Sequence, residues 1–392
     1  MNKFLPYGRH VIDEDDIASV VEVLRSDWLT TGPKVGELEK AVASYCGARH
    51  GVAVSSGTAA LHAAMHALGI GPGDEVIVPA ITFVATANCV VYQGGTPVFA
   101  DVEPDTLLID PADVERKITG KTKAIIAVDY AGQPCNYDTL REIANKHGLN
   151  LVADACHSLG ASYKRRKVGT LADLTVFSFH PVKHITTGEG GMIVTDGEEL
   201  AARMRRFRNH GIATDHRQRE AQRTWRYEMV DLGFNYRISD FQCALGMSQL
   251  RKLAGFVERR QEIAFRYNQK LANLDEVKRL LVSENVTHAY HLYVVRLRNN
   301  HIRTSMFKEL RDRNIGVNVH YVPVYLHPFY RNCFGTGSGQ CQVAEEQYSR
   351  IISLPIYPAL TDEEVARVVE ELRLSLTKIG GSENNNEGKS WS

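Results

Sequence analysis

Three short segments, far apart in the chain, each set a ligand-holding or reactive residue directly behind an apolar run. Leu151-Val-Ala-Asp154 ends in a carboxylate and leads into Ala-Cys-His157. The carboxyl end of a strand is where α/β proteins place ligands, and a carboxylate is costly to bury there without a positive partner. A protonated pyridine nitrogen is such a partner, and the charge pair keeps the ring an electron sink. An aspartate that caps the next helix is the other reading open at this point. His157 either reaches the same pocket or is a hydrogen-bonded core histidine. The second segment, Phe177-Ser-Phe-His-Pro-Val-Lys183, runs into His184-Ile-Thr-Thr-Gly-Glu-Gly-Gly191. A lysine in a partly desolvated site has a lowered pKa and can condense with a carbonyl, although spacing alone also allows a surface lysine. The third, His50-Gly-Val-Ala-Val-Ser-Ser-Gly-Thr58, opens the Ala-rich stretch Ala59–Leu68. A helix N-terminus built from small residues accepts a phosphate through its free N–H groups. That segment is a weak signal by itself, and the combination of all three is what points to one site.

The elements that position these residues are legible as an alternation. Short apolar runs at 51–55, 75–78, 97–101, 124–129, 151–154, 174–179 and 192–195 read as strands covered on both faces. Helical stretches lie between them: Asp110-Pro111 opens one, with Asp as N-cap and Pro at the first helical position, and Tyr137-Asp138 opens another that ends near Gly148. The expectation is an α/β large domain over residues 11–255 with a mostly parallel sheet, joined to a smaller C-terminal α+β domain over 256–378. A long helix over 238–271 leads from one to the other. The small domain is expected to contain strands at 291–297 and 317–321 and helices at 304–313 and 363–372, with residues 1–10 packed nearby. The polar, low-complexity tail 379–392 is expected to be disordered.

Bulk composition narrows the class. The chain has 392 residues, 44% hydrophobic and 23% charged, with 46 basic against 46 acidic side chains and a formal net charge of zero. That balance offers nothing to a polyanion such as DNA. The local basic stretches 163–167 and 203–208 read as turns or solvated faces. Seven cysteines without a Cys-x-x-Cys pair indicate a reducing compartment. No run approaches the roughly 18 apolar residues that span a bilayer, and the N-terminus lacks the apolar core of a signal peptide. A cytoplasmic protein with no nucleic-acid or membrane partner is expected.

The segments Ser55-Ser-Gly-Thr-Ala-Ala-Leu61, Pro79-Ala-Ile-Thr-Phe-Val-Ala-Thr-Ala-Asn88, Asp154-Ala-Cys-His157, Ser178-Phe-His-Pro-Val-Lys183, Gly188-Glu-Gly-Gly191 and Gly233-Phe-Asn-Tyr-Arg-Ile-Ser-Asp-Phe-Gln242 resemble the DegT/DnrJ/EryC1/StrS family. This is the sugar aminotransferase group of the fold-type-I pyridoxal-phosphate enzymes. The resemblance runs from Leu5 to residue 375. Ser178-Phe-His-Pro-Val-Lys183 and Gly316-Val-Asn-Val-His-Tyr-Val-Pro-Val-Tyr325 are shared with the transaminases of pseudaminic acid biosynthesis.

The resemblance implies a fold-type-I α/β large domain with a seven-stranded mixed sheet, pyridoxal 5′-phosphate as cofactor and no metal. Lys183 would hold the cofactor covalently and shuttle a proton between the donor Cα and C4′. Asp154 would keep the pyridine nitrogen protonated, and Phe83 would stack on the ring. Gly57, Thr58 and Ser178 would bind the phosphate, joined by Asn235 from the partner subunit of a homodimer. Arg237, also from the partner, would pair with the donor carboxylate. Tyr7, His320, Tyr321 and the loop Asp27-Trp28-Leu29-Thr30 would line the sugar-nucleotide side. Many family members have Gln at the position of His157, whose bond to the phenolic oxygen is therefore an open point. His184 occupies a variable position, and its role is open as well. Dehydratases of the family carry His in place of the lysine, so Lys183 favours amino transfer.

The expected reaction moves an amino group from glutamate to the C4 keto group of UDP-2-acetamido-2,6-dideoxy-β-L-arabino-hex-4-ulose. The alternatives are a C3 or C4 transaminase for a dTDP- or GDP-linked keto sugar, and a non-catalytic sensor that binds pyridoxal phosphate.

Overall fold

Short apolar runs bounded by turn residues become one seven-stranded sheet in a computed structural model of the chain, which describes residues 3–214 and 216–387. Numbered along the chain, its strands are β1 (His50–Val54), β2 (Glu75–Pro79), β3 (Thr96–Ala100), β4 (Thr122–Val128), β5 (Asn150–Asp154), β8 (Leu174–Ser178) and β9 (Gly191–Thr195). Their order is β1-β9-β8-β5-β4-β2-β3. All neighbours are parallel except that β9 runs antiparallel to both β1 and β8, so the sheet is mixed, as expected. The basic stretch at 163–167 is a tight hairpin of two-residue strands, β6 (Ser162–Tyr163) and β7 (Arg166–Lys167), turned by Lys164 and Arg165 at positive φ.

Helices cover the sheet. Those before Gly148 are α1 (Glu14–Leu24), α2 (Pro33–Cys46), α3 (Gly57–Ala67), α4 (Ala85–Tyr92), α5 (Pro111–Lys117) and α6 (Tyr137–His147). Asp110 accepts from Ala112 N at 2.9 Å as the cap of α5, and Asn136, one residue before the pair read as the start, caps α6. α7 (Glu198–Phe207) carries most of the basic stretch 203–208, and that stretch is not a solvated face. Arg205 donates to Gly51 O at 3.0 Å, Arg203 donates to His66 O at 3.2 Å, and Arg208 pairs with Glu39, tying the stretch to β1, α3 and α2.

After the short α8 (His216–Ala221), the 32-residue α9 (Asp240–Leu271) passes through both hydrophobic cores. Leu253 and Val257 belong to the core around the large sheet. Ile263, Ala264, Tyr267 and Leu271 belong to the second core. That core is built on a sheet of β10 (Val277–Arg279), β12 (Tyr293–Leu297) and β13 (Ile351–Leu354), with α10 (Arg303–Asp312) and α13 (Asp362–Glu387). The remaining elements are β11 (Val286–Thr287), paired with β6, and the short helices α11 (Pro328–Phe334) and α12 (Gln342–Tyr348). Leu5 lies in the second core and hydrogen-bonds Asn314 and Gly316, which anchors the N-terminal segment there.

Two further expectations are corrected. Residues 317–321 form no ladder: the Asn318–Ser353 bridge is the single pairing, and Asn318 Oδ1 turns back to accept from Val319 N at 2.8 Å. Residues 379–387, read as part of a disordered tail, continue α13. A helix that is already nucleated adds each further turn at little cost even through weak helix formers. The rest of the tail, 388–392, lies outside the described residues.

Candidate active site

The site gathers at the carboxyl ends of β5 and β8 and the start of α3. Gly191 sits between them in register, opposite Val54 of β1 on one side and Ser178 of β8 on the other. A Cβ on Gly191 would lie 2.4 Å from Ser56 O, so glycine is what lets β9 approach the start of α3 so closely. A Cβ on Gly57 would similarly stand 2.9 Å from Ser178 Cβ. Ser56 caps α3 by accepting from Ala59 N at 3.0 Å. The first N–H groups of a helix have no partner within it, and Ser178 Oγ lies 3.2 Å from where a Cβ of Gly57 would stand, so the hydroxyl adjoins the start of α3. Its dimensions and donors suit a phosphate.

Asp154 closes β5 with its carboxylate buried. Oδ2 accepts from Thr86 Oγ1 at 2.7 Å, and Thr86 is itself in hydrogen-bond contact with Thr82 at 2.7 Å. Oδ1 accepts from Cys156 N at 3.3 Å, so Asp154 closes a turn, and no helix follows for it to cap. Among the described residues no Lys or Arg stands within ion-pair distance of it. A buried carboxylate left in this way fits a cationic ring nitrogen. Phe83, 56% exposed beside Tyr321 at 6.0 Å between ring centroids, offers an apolar face to such a ring.

Lys183 lies in a closed loop after β8, fixed by Lys183 N to His180 O and Thr187 N to Phe179 O. Burial pushes its amine below the ordinary lysine value, against the opposing pull of Cys156 and Asp154. Lys183 Nζ stands 3.5 Å from His291 Nε2. His291 packs its ring 4.3 Å from that of His157 and 5.7 Å from that of His184. His157 Nε2 contacts the Tyr321 hydroxyl at 3.2 Å, and His184 Nε2 donates to Ala289 O at 3.0 Å. Burial holds all three histidines well below their usual pKa, so they are neutral at pH 7. Burial also pushes the Tyr321 phenol well above its ordinary value.

His320 and Tyr7 stand beside Tyr321, with their rings 5.3 Å apart by centroid. His320 Nδ1 contacts Ser353 Oγ at 2.8 Å, and burial lowers this ring to about 3. The main chain of His320 is held by the Tyr130 hydroxyl.

The other predicted residues form a second group. Asn235 is exposed and bridges Asn209, while Arg237 donates to Asn209 Oδ1 at 2.9 Å. Asp240 is engaged instead with Gly32 N and Lys34 N, at 2.8 and 2.9 Å. The Asp27–Thr30 loop joins this second group, through Asp240 N to Leu29 O and the Thr30–Ser239 bridge. Thr30 and Arg237 line one groove of about 730 Å3. Sequence reasoning missed Thr86, His291 and Gly191 as site residues. Thr86 stands within a family motif, whereas His291 carried no signal beyond its place at the start of an expected strand.

A large mixed sheet with a strand-end lysine, a buried strand-end aspartate and a helix-start phosphate cradle defines a fold-type-I pyridoxal-phosphate enzyme. The DegT/DnrJ/EryC1/StrS aminotransferase family model matches residues 10–373, and the chain belongs to that family. It is 42% identical to the spore coat polysaccharide biosynthesis protein SpsC of Bacillus subtilis over 377 residues, 95% of this chain and 97% of that protein. Among solved structures it is similar to Spr1654 from Streptococcus pneumoniae, described as a sugar aminotransferase. The identity is 34% and the TM-score 0.91, covering 96% of this chain and 100% of that one. Spr1654 has been solved in PMP and PLP forms. It is also similar to Helicobacter pylori PseC, an aminotransferase involved in the biosynthesis of pseudoaminic acid. Here the identity is 32% and the TM-score 0.90, over 96% of this chain and 100% of that one. The protein is a pyridoxal-phosphate-dependent sugar aminotransferase. Among the described residues no helix is long and apolar enough to cross a membrane.

Proposed function

We propose that this chain transfers an amino group from glutamate to the C4 keto group of UDP-2-acetamido-2,6-dideoxy-β-L-arabino-hex-4-ulose, working as a cytoplasmic homodimer with shared sites. The observation that carries the reading is the convergence of the Lys183 amine, its charge disfavoured by burial, with the Asp154 carboxylate below the Gly57–Ser178 cradle. Pyridoxal phosphate, when bound, supplies a carbonyl that receives the amino group and a ring that withdraws electrons.

The chain's own residues do the rest. Gly57 and Thr58 N–H groups and Ser178 Oγ hold the phosphate, with Asn235 of the partner subunit. Asp154 would keep a proton on the ring nitrogen, Phe83 would stack on the ring, and His157 would donate to the phenolic oxygen. Lys183 Nζ would hold the cofactor covalently and would move a proton at the donor carbon. Arg237 of the partner subunit grips the glutamate carboxylate with its fork of N–H donors. His320, Tyr321, Tyr7 and the Asp27–Thr30 loop shape the sugar-nucleotide side. The large domain spans residues 11–255 and the small one 256–378. The stretch from Trp225 to Phe234 leaves Trp225, Met229 and Leu232 largely exposed, an apolar surface that a second copy of the chain would cover.

The choice of sugar rests on the likeness to PseC and on the shared stretch 316–325. The test is a coupled assay with glutamate and UDP-, dTDP- and GDP-linked 4-keto sugars. Turnover is expected with the UDP-linked 2-acetamido sugar. Turnover with a dTDP- or GDP-linked sugar alone moves the assignment to another nucleotide, and turnover of none of them overturns the choice of a C4 keto sugar.

A further inference from the structure

We infer that His62 is a positioning residue for capture of the amino donor: through Tyr236 it fixes the turn that carries Asn235 and Arg237. The inference deepens the proposed function and rests on its reading of Arg237 as the carboxylate-binding residue.

Tyr236 lies between the two residues in question, and its backbone is held on both sides. Its N–H donates to Arg208 O at 3.0 Å, and its carbonyl accepts from Ser55 N at 2.9 Å. Asn235 bridges Asn209 in extended backbone. Successive side chains of an extended segment point to opposite faces. A tyrosine drawn inward therefore sends both of its neighbours outward.

What draws Tyr236 inward is His62, on the buried face of α3 and 3% exposed. Its Nδ1 is 3.0 Å from the Tyr236 hydroxyl, and its Nε2 is 2.7 Å from Gln93 Nε2. The Gln93 amide nitrogen can only donate. His62 Nε2 is thus the acceptor, and Nδ1 carries the proton that is donated to Tyr236 Oη. A charged ring would set an N–H against the Gln93 N–H, and burial holds His62 neutral, at about 4. Phe207 and Phe234 each stand 5.0 Å from the imidazole and Tyr92 stands 5.2 Å away, while Phe234 stacks on Tyr236 at 5.1 Å. The cage leaves the ring one place to sit. The same helix that opens on the phosphate cradle at Gly57 therefore also sets the direction of Arg237, through one side chain and one hydroxyl.

A histidine that merely fills the core gives a different result on mutation from one that aims Arg237. Steady-state kinetics on the holoenzyme, with glutamate and the keto sugar varied in turn, separate the two for His62→Leu, His62→Asn, Tyr236→Phe and the double variant His62→Leu/Tyr236→Phe. His62→Leu and Tyr236→Phe are each expected to raise KM for glutamate about fivefold, the net effect of one hydrogen bond. The values of kcat and of KM for the sugar stay as in the wild type. The double variant is expected to be no worse than the poorer single one, because both remove the same link. His62→Asn keeps a donor near Nδ1 and is expected to recover most of the loss. A parallel fall in kcat with rises in both KM values, or an unchanged KM for glutamate in Tyr236→Phe, overturns the inference. Tyr236→Phe removes a single oxygen and decides the matter even if His62→Leu does not fold. Arg237→Ala is run beside them: if it leaves KM for glutamate unchanged, the donor-site reading itself falls. If it raises KM while Tyr236→Phe does not, only the His62 inference falls.

Discussion

Lys183 carries an amine that burial already biases toward its uncharged form, against the opposing pull of Cys156 and the Asp154 carboxylate and beside neutral imidazole rings. Burial of this kind makes an amine easier to deprotonate, and so a readier nucleophile, than an exposed lysine. Borohydride treatment of the holoenzyme is expected to attach the cofactor to a peptide containing Lys183. Lys183→Ala is expected to retain cofactor through the phosphate cradle and to lose transamination by about 10³-fold or more. Near-wild-type turnover of that variant would remove Lys183 from the chemistry. The lysine and the aspartate were legible in the sequence through the family motifs that frame them, since their places behind apolar runs still allowed a surface lysine and a helix cap. Thr86 and His291 were harder to read, since they meet Asp154 and Lys183 across 68 and 108 positions. Only the folded sheet makes such partners neighbours.

At the scale of elements, the cradle depends on three segments meeting at Gly191. With Ser56 O only 2.4 Å from where a Cβ would stand, Gly191→Ala must push β9 away from the start of α3. A cost of about 1–3 kcal/mol is expected from such overpacking, read as a lower Tm, together with weaker cofactor retention on dialysis. Gly36→Ala, where a Cβ meets nothing within 4 Å, is the control and should leave cofactor retention unchanged. The strands of the large sheet were readable from their short apolar runs, and α5 from its Asp-Pro cap. The stretch 317–321 has the same apolar character, yet its backbone bonds go to one bridge and to its own asparagine rather than to a ladder. Pattern records which residues are apolar; it does not record whether a neighbouring strand has room to pair.

For the whole molecule, shared sites have a direct test. Lys183→Ala and Arg237→Ala homodimers should each be nearly inactive, while mixing them under subunit exchange should restore activity, because one mixed site has both intact residues. Exchange without recovery places Arg237 in its own subunit's site. Stability should also depend on pH with a definite sign. His288 and His320 are lowered by burial to about 3, and His157, His184 and His291 also lie well below their usual values. Each favours the fold while the unfolded histidine is neutral, above about pH 6.5. Each contribution is lost as the pH falls below that value, at up to about 1.4 kcal/mol per pH unit per group. Asp129, raised by burial to about 6, acts in the opposite sense below that pH and offsets part of the loss. The Tm should therefore hold from pH 8 to 7 and fall steeply between pH 6.5 and 5. A flat profile over that lower range would mean that these rings are not neutral in the fold.

The order of the large sheet has a consequence for synthesis. Strand β1 is the first of the sheet to leave the ribosome, yet its only partner is β9, the last. Residues 50–54 must wait for 191–195 before their backbone is paired, while β2, β3, β4 and β5 can join one another in the interval. Such distant pairing is slow and leaves an open edge meanwhile. The cofactor cradle, built on the β1–β9 junction, is thus among the last parts of the domain to close. A nascent chain halted before Gly191 would have its central strands but no place to hold the phosphate.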